Sequence, residues 1–273
     1  MIPAIGAPTA AGGDASMPRG LGIRAKNACV CFGDVVALRH ASLTILPGEF
    51  ISIVGDSGGG KTTLLRAIGG LRALSSGSIE FHSASGANWI PGPRDIGFCF
   101  QEGRLLPWRS VLANVALPLE LEGVASGERL DAARAMLERM RMGGVERRMP
   151  SQLSGGMRMR VAMARALVTR PRVLLLDEPF GSLDEVTRLA LEDELLSLVR
   201  ESGATAILVT HAIGEAVVLS DRVAVLRGRP GSLQPAIPIS LPSRDDEGRL
   251  SVEFASLCAI VQHELRGSQE SSV

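Results

Sequence analysis

The sequence predicts an α/β domain: a mostly parallel sheet flanked by helices, with an N-terminal antiparallel β-subdomain and an inserted helical subdomain. Three observations carry this. Near-continuous apolar runs of strand length recur at 50–54, 173–176, 206–209 and 223–226, as in strands buried on both faces of a sheet. Helix-period segments separate them, and strand–helix alternation closes into a parallel sheet with right-handed crossovers. Two regions break that rhythm. Residues 23–46 hold two strand-like runs around a Gly33-Asp34 turn, and residues 103–170 are mostly helical.

Taken in order, residues 1–22 are rich in Ala, Gly and Pro without a basic start and apolar stretch, so a flexible tail is expected rather than a signal peptide or anchor. The main domain is expected over 23–228. Within its helical part, Leu130, Ala133, Leu137 and Met140 form one apolar stripe, and Met149-Pro150 breaks the chain before another helix. Residues 184–200 open on Asp184, a good N-cap, and carry Leu189, Leu195, Leu196 and Val199. Residues 229–273 form a last segment, in which Pro230, Pro235, Pro238 and Pro242 precede an amphipathic helix with Phe254, Leu257, Val261 and Leu265. That helix is expected to dock on the body of the protein.

Composition narrows the function. A chain of 273 residues, 45% hydrophobic and 21% charged, is neither disordered, collagen-like nor disulfide-stapled. Lys plus Arg (29) equals Asp plus Glu (29), so no net charge draws the chain to nucleic acid or acidic lipid, and nucleic acid is not expected as a partner. No apolar run approaches the roughly 18–20 residues that span a bilayer. Cys29, Cys31, Cys99 and Cys258 lack a second close pair for zinc and are expected to be reduced, structural thiols. Lysine occurs only at Lys26 and Lys61, so arginine is the default cation and a lysine stands out.

One of those lysines lies in Gly55-Asp56-Ser57-Gly58-Gly59-Gly60-Lys61-Thr62-Thr63, directly after an apolar strand and before the helical run 64–68. This is the G-x-x-x-x-G-K-[ST] phosphate loop in its strand–loop–helix context. Glycines let backbone N–H groups turn inward around phosphate oxygens, and the helix N-terminus favours negative charge. Lys61 supplies an ammonium for the β- and γ-phosphates, and Thr62 a hydroxyl for Mg2+. A nucleoside triphosphate is therefore the expected ligand.

A second buried strand ends in Asp177-Glu178-Pro179. Ligands of open parallel sheets bind at the carboxyl ends of strands, so Asp177 can reach the metal held by Thr62. Glu178 can orient or deprotonate an attacking water. Phosphoryl transfer asks little more of a protein than positioning and charge stabilisation.

Leu153-Ser154-Gly155-Gly156-Met157 makes a second anion-binding helix start, far along the chain from the first. One chain has no obvious use for two. A dimer does, if the second loop caps a nucleotide held by the partner copy. Here the sequence resembles the nucleotide-binding subunit of an ABC transporter, whose signature is Leu-Ser-Gly-Gly, and the resemblance spans about 24–265. It implies a P-loop NTPase core of the ABC ATPase type, with ATP and Mg2+ as cofactors. Gln101 then matches the glutamine that senses Mg2+ and the γ-phosphate, and His211 the histidine that contacts the γ-phosphate. Gly181-Ser182-Leu183-Asp184 matches the loop that crosses the dimer interface, and Phe32 the aromatic that stacks on adenine. Phe32 also has a second reading, as a core side chain of a small sheet.

A narrower likeness lies in 100–115, with Leu105, Leu106, Pro107, Trp108 and Asn114, and in 227–231. Both are similar to ATPase subunits of nitrate, aliphatic sulfonate, taurine and related importers. The family implies a second copy of the chain, membrane permease subunits and, indirectly, a periplasmic solute-binding protein, with the ATPase peripheral on the cytoplasmic face of the bacterial inner membrane. Residues 105–108 are the candidate surface for the permease, or else a small local core. Three positions depart from the family pattern: Asp56 for Pro, Met159 for Gln, and Ala212 for Asp after the histidine. They bear on turnover rate more than on the reaction. A soluble ABC ATPase outside transport is the alternative; it commonly carries two cassettes or a long coiled coil, and neither is present in this sequence.

Overall fold

The computed structural model describes residues 19–267. The chain opens with β1 (Gly22–Phe32) and β2 (Val35–Ile45), a long hairpin turned at Gly33, followed by β3 (Phe50–Gly55) and α1 (Lys61–Ile68). Three short strands come next: β4 (Ser76–His82), β5 (Asn88–Trp89) and β6 (Ile96–Cys99). The helical region holds α2 (Val111–Leu121), α3 (Ser126–Arg139), a 3-10 turn at Pro150–Gln152 and α4 (Gly155–Leu167). Alternation then resumes with β7 (Val173–Asp177), α5 (Glu185–Ser202), β8 (Thr205–Thr210), α6 (Ile213–Leu219) and β9 (Arg222–Arg227). The chain finishes with β10 (Ser232–Leu233), β11 (Ile237–Pro238), α7 (Asp246–Arg249) and α8 (Val252–Arg266).

Two sheets result. β2-β1-β4-β5 is wholly antiparallel. The main sheet runs β10-β9-β3-β8-β7-β6, with β9, β3, β8, β7 and β6 parallel and β10 and β11 antiparallel against β9. The chain passes from β3 to a strand three places away and returns, so the carboxyl ends of β3, β8, β7 and β6 open on one crevice, where α/β sheets bind ligands.

Side-chain alternation explains how the layers assemble. On β7, Leu174 and Leu176 join the core of the helical region while Val173 and Leu175 face α1 and the antiparallel sheet. On β8, Ala206 and Leu208 divide in the same way from Ile207 and Val209. Strands buried on both faces are apolar at every position for this reason. The stripe Ala133, Leu137 and Met140 is fully buried, with Leu130 packed partly against the same core. A third cluster docks α8 on the body: Val261 is buried, and Phe254, Leu257 and Leu265 pack with it against Ala216, Val217, Val223 and Val225.

The tail expected over 1–22 lies outside the described residues as far as residue 18. Its last part belongs to the fold: Leu21 is fully buried, the Gly20 N–H donates to the Gly203 carbonyl, and Gly22 already pairs with His82. Sequence reading also missed β4 and β5. The exposure of β4 follows no period of two, and it pairs with β1 across more than fifty residues, Ile23 opposite Phe81.

Candidate functional site

β3 stops at Gly55, and the loop reaches α1 through Gly58 (φ 79) and Gly60 (φ 96), both in the left-handed region that suits glycine. A Cβ on Gly60 would also sit 2.5 Å from the Ala37 carbonyl oxygen, so the β1–β2 hairpin can lie against the loop only because this residue has none. Lys61 is almost wholly buried, and its Nζ donates to the carbonyls of Gly55 (2.7 Å) and Asp56 (3.0 Å). Burial pulls its pKa down; the charges of Glu178, Asp56 and Asp177 oppose that. The side chains of Asp56 and Ser57 are exposed, Gly59 is buried, and Thr63 is half-buried on the first turn of α1.

Thr62 donates its hydroxyl hydrogen to Oδ1 of Asp177 at 2.8 Å. Asp177 ends β7 with no exposed surface, and its Oδ2 is buried without a hydrogen-bond partner. An orphaned buried carboxylate oxygen is costly in a structure that has nothing else to offer it. Burial raises the Asp177 pKa, while Thr62, Arg66 and Lys61 pull the other way. Hard oxygen donors, a hydroxyl and a carboxylate, with a triphosphate beside them are the set that suits Mg2+. Thr62 and Asp177 therefore fit the metal.

Glu178 adopts φ 47, a strained backbone for a residue with a side chain. Its N–H donates to Val209 of β8 at 2.9 Å, which holds the turn. The carboxylate faces two partners at once: Gln101 Nε2 donates to Oε2 at 3.1 Å, and His211 Nδ1 lies 3.4 Å from the same oxygen. Gln101 follows β6, His211 follows β8 and Glu178 follows β7, so three adjacent parallel strands deliver the three groups. Both contacts fall on Oε2, which leaves Oε1 as the oxygen for a water.

The Ser154 segment stands apart. Ser154 caps α4 by accepting the Met157 N–H at 3.2 Å. Gly155 and Gly156 lie against Ser182 and Leu183, where a Cβ on Gly156 would come within 2.8 Å of the Leu183 side chain. Asp184 caps α5 through the Thr187 N–H. Among the described residues no hydrogen bond or ion pair joins the Ser154 segment to the phosphate loop.

Phe32 ends β1 half-exposed, and the Arg72 guanidinium sits over its ring at 3.9 Å while donating to the Cys31 carbonyl. One ring face is thus taken. In the 105–108 loop the expected surface divides: Leu105 packs partly on the helical core, whereas Trp108 is 72% exposed. The loop is fixed by Asn114, which is fully buried, accepts the Leu106 N–H and donates to the carbonyls of Leu106, Arg109 and Ser110. Sequence reasoning gave Asn114 no role; a lone polar residue in an otherwise apolar helix start was the available signal. It also missed Glu215, buried on α6, which accepts the Thr210 hydroxyl at 2.6 Å. That hydroxyl in turn accepts the Ala212 N–H, so the turn carrying His211 is held although Ala212 provides no cap of its own. Met159 is buried against Cys99, filling core space.

The profile of the ABC transporter family matches residues 38–181. The aliphatic sulfonates import ATP-binding protein SsuB of Rhodopseudomonas palustris (strain BisA53) is 44% identical over 261 residues, 94% of this chain and 88% of its own length. SsuB of Bacillus subtilis (strain 168) is 45% identical over 204 residues, 75% of this chain and 78% of its own. The solved dimeric structure of a bacterial ABC transporter cassette aligns at TM-score 0.71 and 33% identity, covering 80% of this chain and 99% of that one. A dimeric post-hydrolysis state bound to ADP and Pi aligns at TM-score 0.70.

Proposed function

Because this chain belongs to the ABC transporter family and is an ATP-binding, ATP-hydrolysing subunit of it, we propose that it energises import of a small oxyanion-like or organic solute of the sulfonate, nitrate or taurine kind. The observation that carries the ATP-hydrolysing part of this reading is the arrangement around Glu178, with Gln101 and His211 on one carboxylate oxygen and Lys61, Thr62 and Asp177 beside it.

Two copies close on two ATP molecules. Backbone N–H groups of 55–63 and the Lys61 ammonium bind the β- and γ-phosphates of one ATP, and the Ser154–Gly156 helix start of the other copy covers the γ-phosphate. Adenine stacks on the ring face of Phe32 that Arg72 leaves open. Gln101 and His211 hold Oε2 of Glu178, so Oε1 orients a water on the γ-phosphorus and takes its proton as the P–O bond to ADP breaks. Thr62, Asp177 and Gln101 would hold Mg2+, which would supply positive charge against the phosphate oxygens. Loss of the γ-phosphate removes what Ser154 and His211 grip, and the dimer reopens.

The likeness to SsuB subunits supports sulfonate as the solute class. It also supports a membrane permease pair and a periplasmic binding protein as partners, with this subunit peripheral at the cytoplasmic face of the bacterial inner membrane. Among the described residues no helix is long and apolar enough to cross a membrane. Pro107 and Trp108, presented by the loop that Asn114 fixes, are the proposed contact with the permease. The test is co-expression with the membrane permease of a sulfonate importer. The wild type should co-purify with it and support sulfonate uptake. Trp108→Ala should keep the ATPase rate of the isolated subunit yet lose retention and uptake. Retention and uptake unchanged in that variant would remove the loop from the contact.

A further inference from the structure

The phosphate loop is held from outside by a part of the chain that the mechanism does not use. After β9 the chain turns through Gly228, Arg229, Pro230 and Gly231 before β10. The Arg229 guanidinium donates to the carbonyl of Ser57 and lies about 3.5 Å from where a Cβ on Gly58 would be. Gly231 presses on the loop two peptides further on: a Cβ there would stand 1.9 Å from the Gly59 carbonyl oxygen, so only glycine permits this approach. The turn is itself anchored on two sides. Gly231 bridges Leu38 and accepts the Arg39 N–H from β2 at 3.1 Å, and Arg227 pairs with Glu264 of α8.

The chemistry follows from the peptide unit. In a trans peptide the C=O and the following N–H point in opposite directions. A donor that fixes the Ser57 carbonyl on the outside of the loop therefore turns the Gly58 N–H to the inside, where a phosphate-binding loop presents its donors. Gly58-Gly59-Gly60 is the part of the loop with most conformational freedom to lose. Lys61 holds the two preceding carbonyls, those of Gly55 and Asp56, from within. Ser57 is the next carbonyl along, and its donor comes from Arg229.

We propose that Arg229 is a positioning residue of the nucleotide site, and that the 228–231 turn braces the phosphate loop in its phosphate-binding form. This rests on the loop's being the triphosphate site. Arg229 touches backbone, so its contribution is to nucleotide affinity and not to the chemical step.

The experiment measures steady-state MgATP hydrolysis and MgATP affinity on the full chain for the wild type and four variants. Arg229→Ala should raise KM and Kd about fivefold to tenfold, the net size of one hydrogen bond, with kcat within about twofold and Tm within about 2 °C. Arg229→Lys, which keeps a donor of similar reach, should recover part of that loss. Gly231→Ala leaves the Arg229 charge in place but drives the turn off Gly59, and should raise KM by a similar factor. A KM within twofold of wild type for Arg229→Ala, or a fall in kcat without a rise in KM, would overturn the brace. So would a normal KM for Gly231→Ala beside a raised one for Arg229→Ala, since plain charge attraction would then suffice. Lys61→Ala is the control for the premise: it should abolish hydrolysis, and hydrolysis at the wild-type rate would dismiss the triphosphate reading itself.

Discussion

The Thr62 hydroxyl donates to Oδ1 of Asp177 at 2.8 Å although 115 residues of chain separate them. Neither residue could be joined to the other by local structure. The parallel sheet does it: β3 and β7 flank β8 from either side and end at the same edge of the sheet. The second oxygen of Asp177 is buried without a hydrogen-bond partner, and that unsatisfied atom supports the metal site proposed there.

Asp177→Asn keeps the shape but removes the charge that a divalent cation needs. Nucleotide should still bind to the Lys61 loop, whereas hydrolysis should fall by about a hundredfold or more at any Mg2+ concentration. Titration of activity with Mg2+ checks this. Recovery of the wild-type rate at high Mg2+ would show that Asp177 sets affinity for the metal and nothing further.

The separation of the Ser154 segment from the phosphate loop within one chain predicts damage in trans. Ser154→Arg should fold and bind ATP, but as a uniform mutant it should not hydrolyse it. Mixed with Lys61→Ala protomers, it forms dimers in which one composite site carries both changes and the other carries none. Hydrolysis should reappear in the mixed dimer, although neither uniform mutant hydrolyses ATP. Loss of both sites would contradict a site shared between copies.

Much of this arrangement was legible in the sequence because its parts are local. A glycine-rich loop after an apolar strand, two acids at a strand end and a serine–glycine helix start each announce their chemistry within ten residues. The strands of the main sheet were legible because burial on both faces makes them apolar throughout. What escaped depends on distance along the chain. β4 finds β1 only after the main sheet has begun, Glu215 gains its purpose from Thr210 on another element, and Arg229 meets Ser57 across 172 residues. The convergence of Gln101 and His211 on one oxygen of Glu178 was likewise a matter of strand order, which motif spacing does not encode.

Glu192 offers a test of how the last segment is held. It lies on α5, nearly fully buried, with Arg249 of α7 at 3.0 Å, Arg188 at 3.8 Å and Glu215 close enough to act on it. Burial, more than these charges, pushes its pKa up from 4.5 to about 7. Between those values the folded chain holds a proton that the unfolded chain has lost, so this group makes stability fall as pH rises through the window. Glu192→Gln should flatten that fall. Its Tm should drop by about 2–6 °C less than that of the wild type between pH 5 and 7, by differential scanning fluorimetry. Parallel curves for the two proteins would show that Glu192 stays ionised throughout.

In the proposed mechanism two copies of the chain share ATP, and Glu178 is the group that ends the sharing. Glu178→Gln keeps the size and can still hydrogen-bond to water, but it cannot accept the water's proton as a carboxylate does. The direct measurement is size-exclusion chromatography with light scattering on this variant at one protein concentration. It should run as a monomer without nucleotide and with MgADP, and as a dimer with MgATP, because only the γ-phosphate bridges the Lys61 loop of one copy to Ser154 of the other. Dimerisation to the same extent with MgADP, or hydrolysis at the wild-type rate by this variant, would contradict this role of Glu178 and the γ-phosphate.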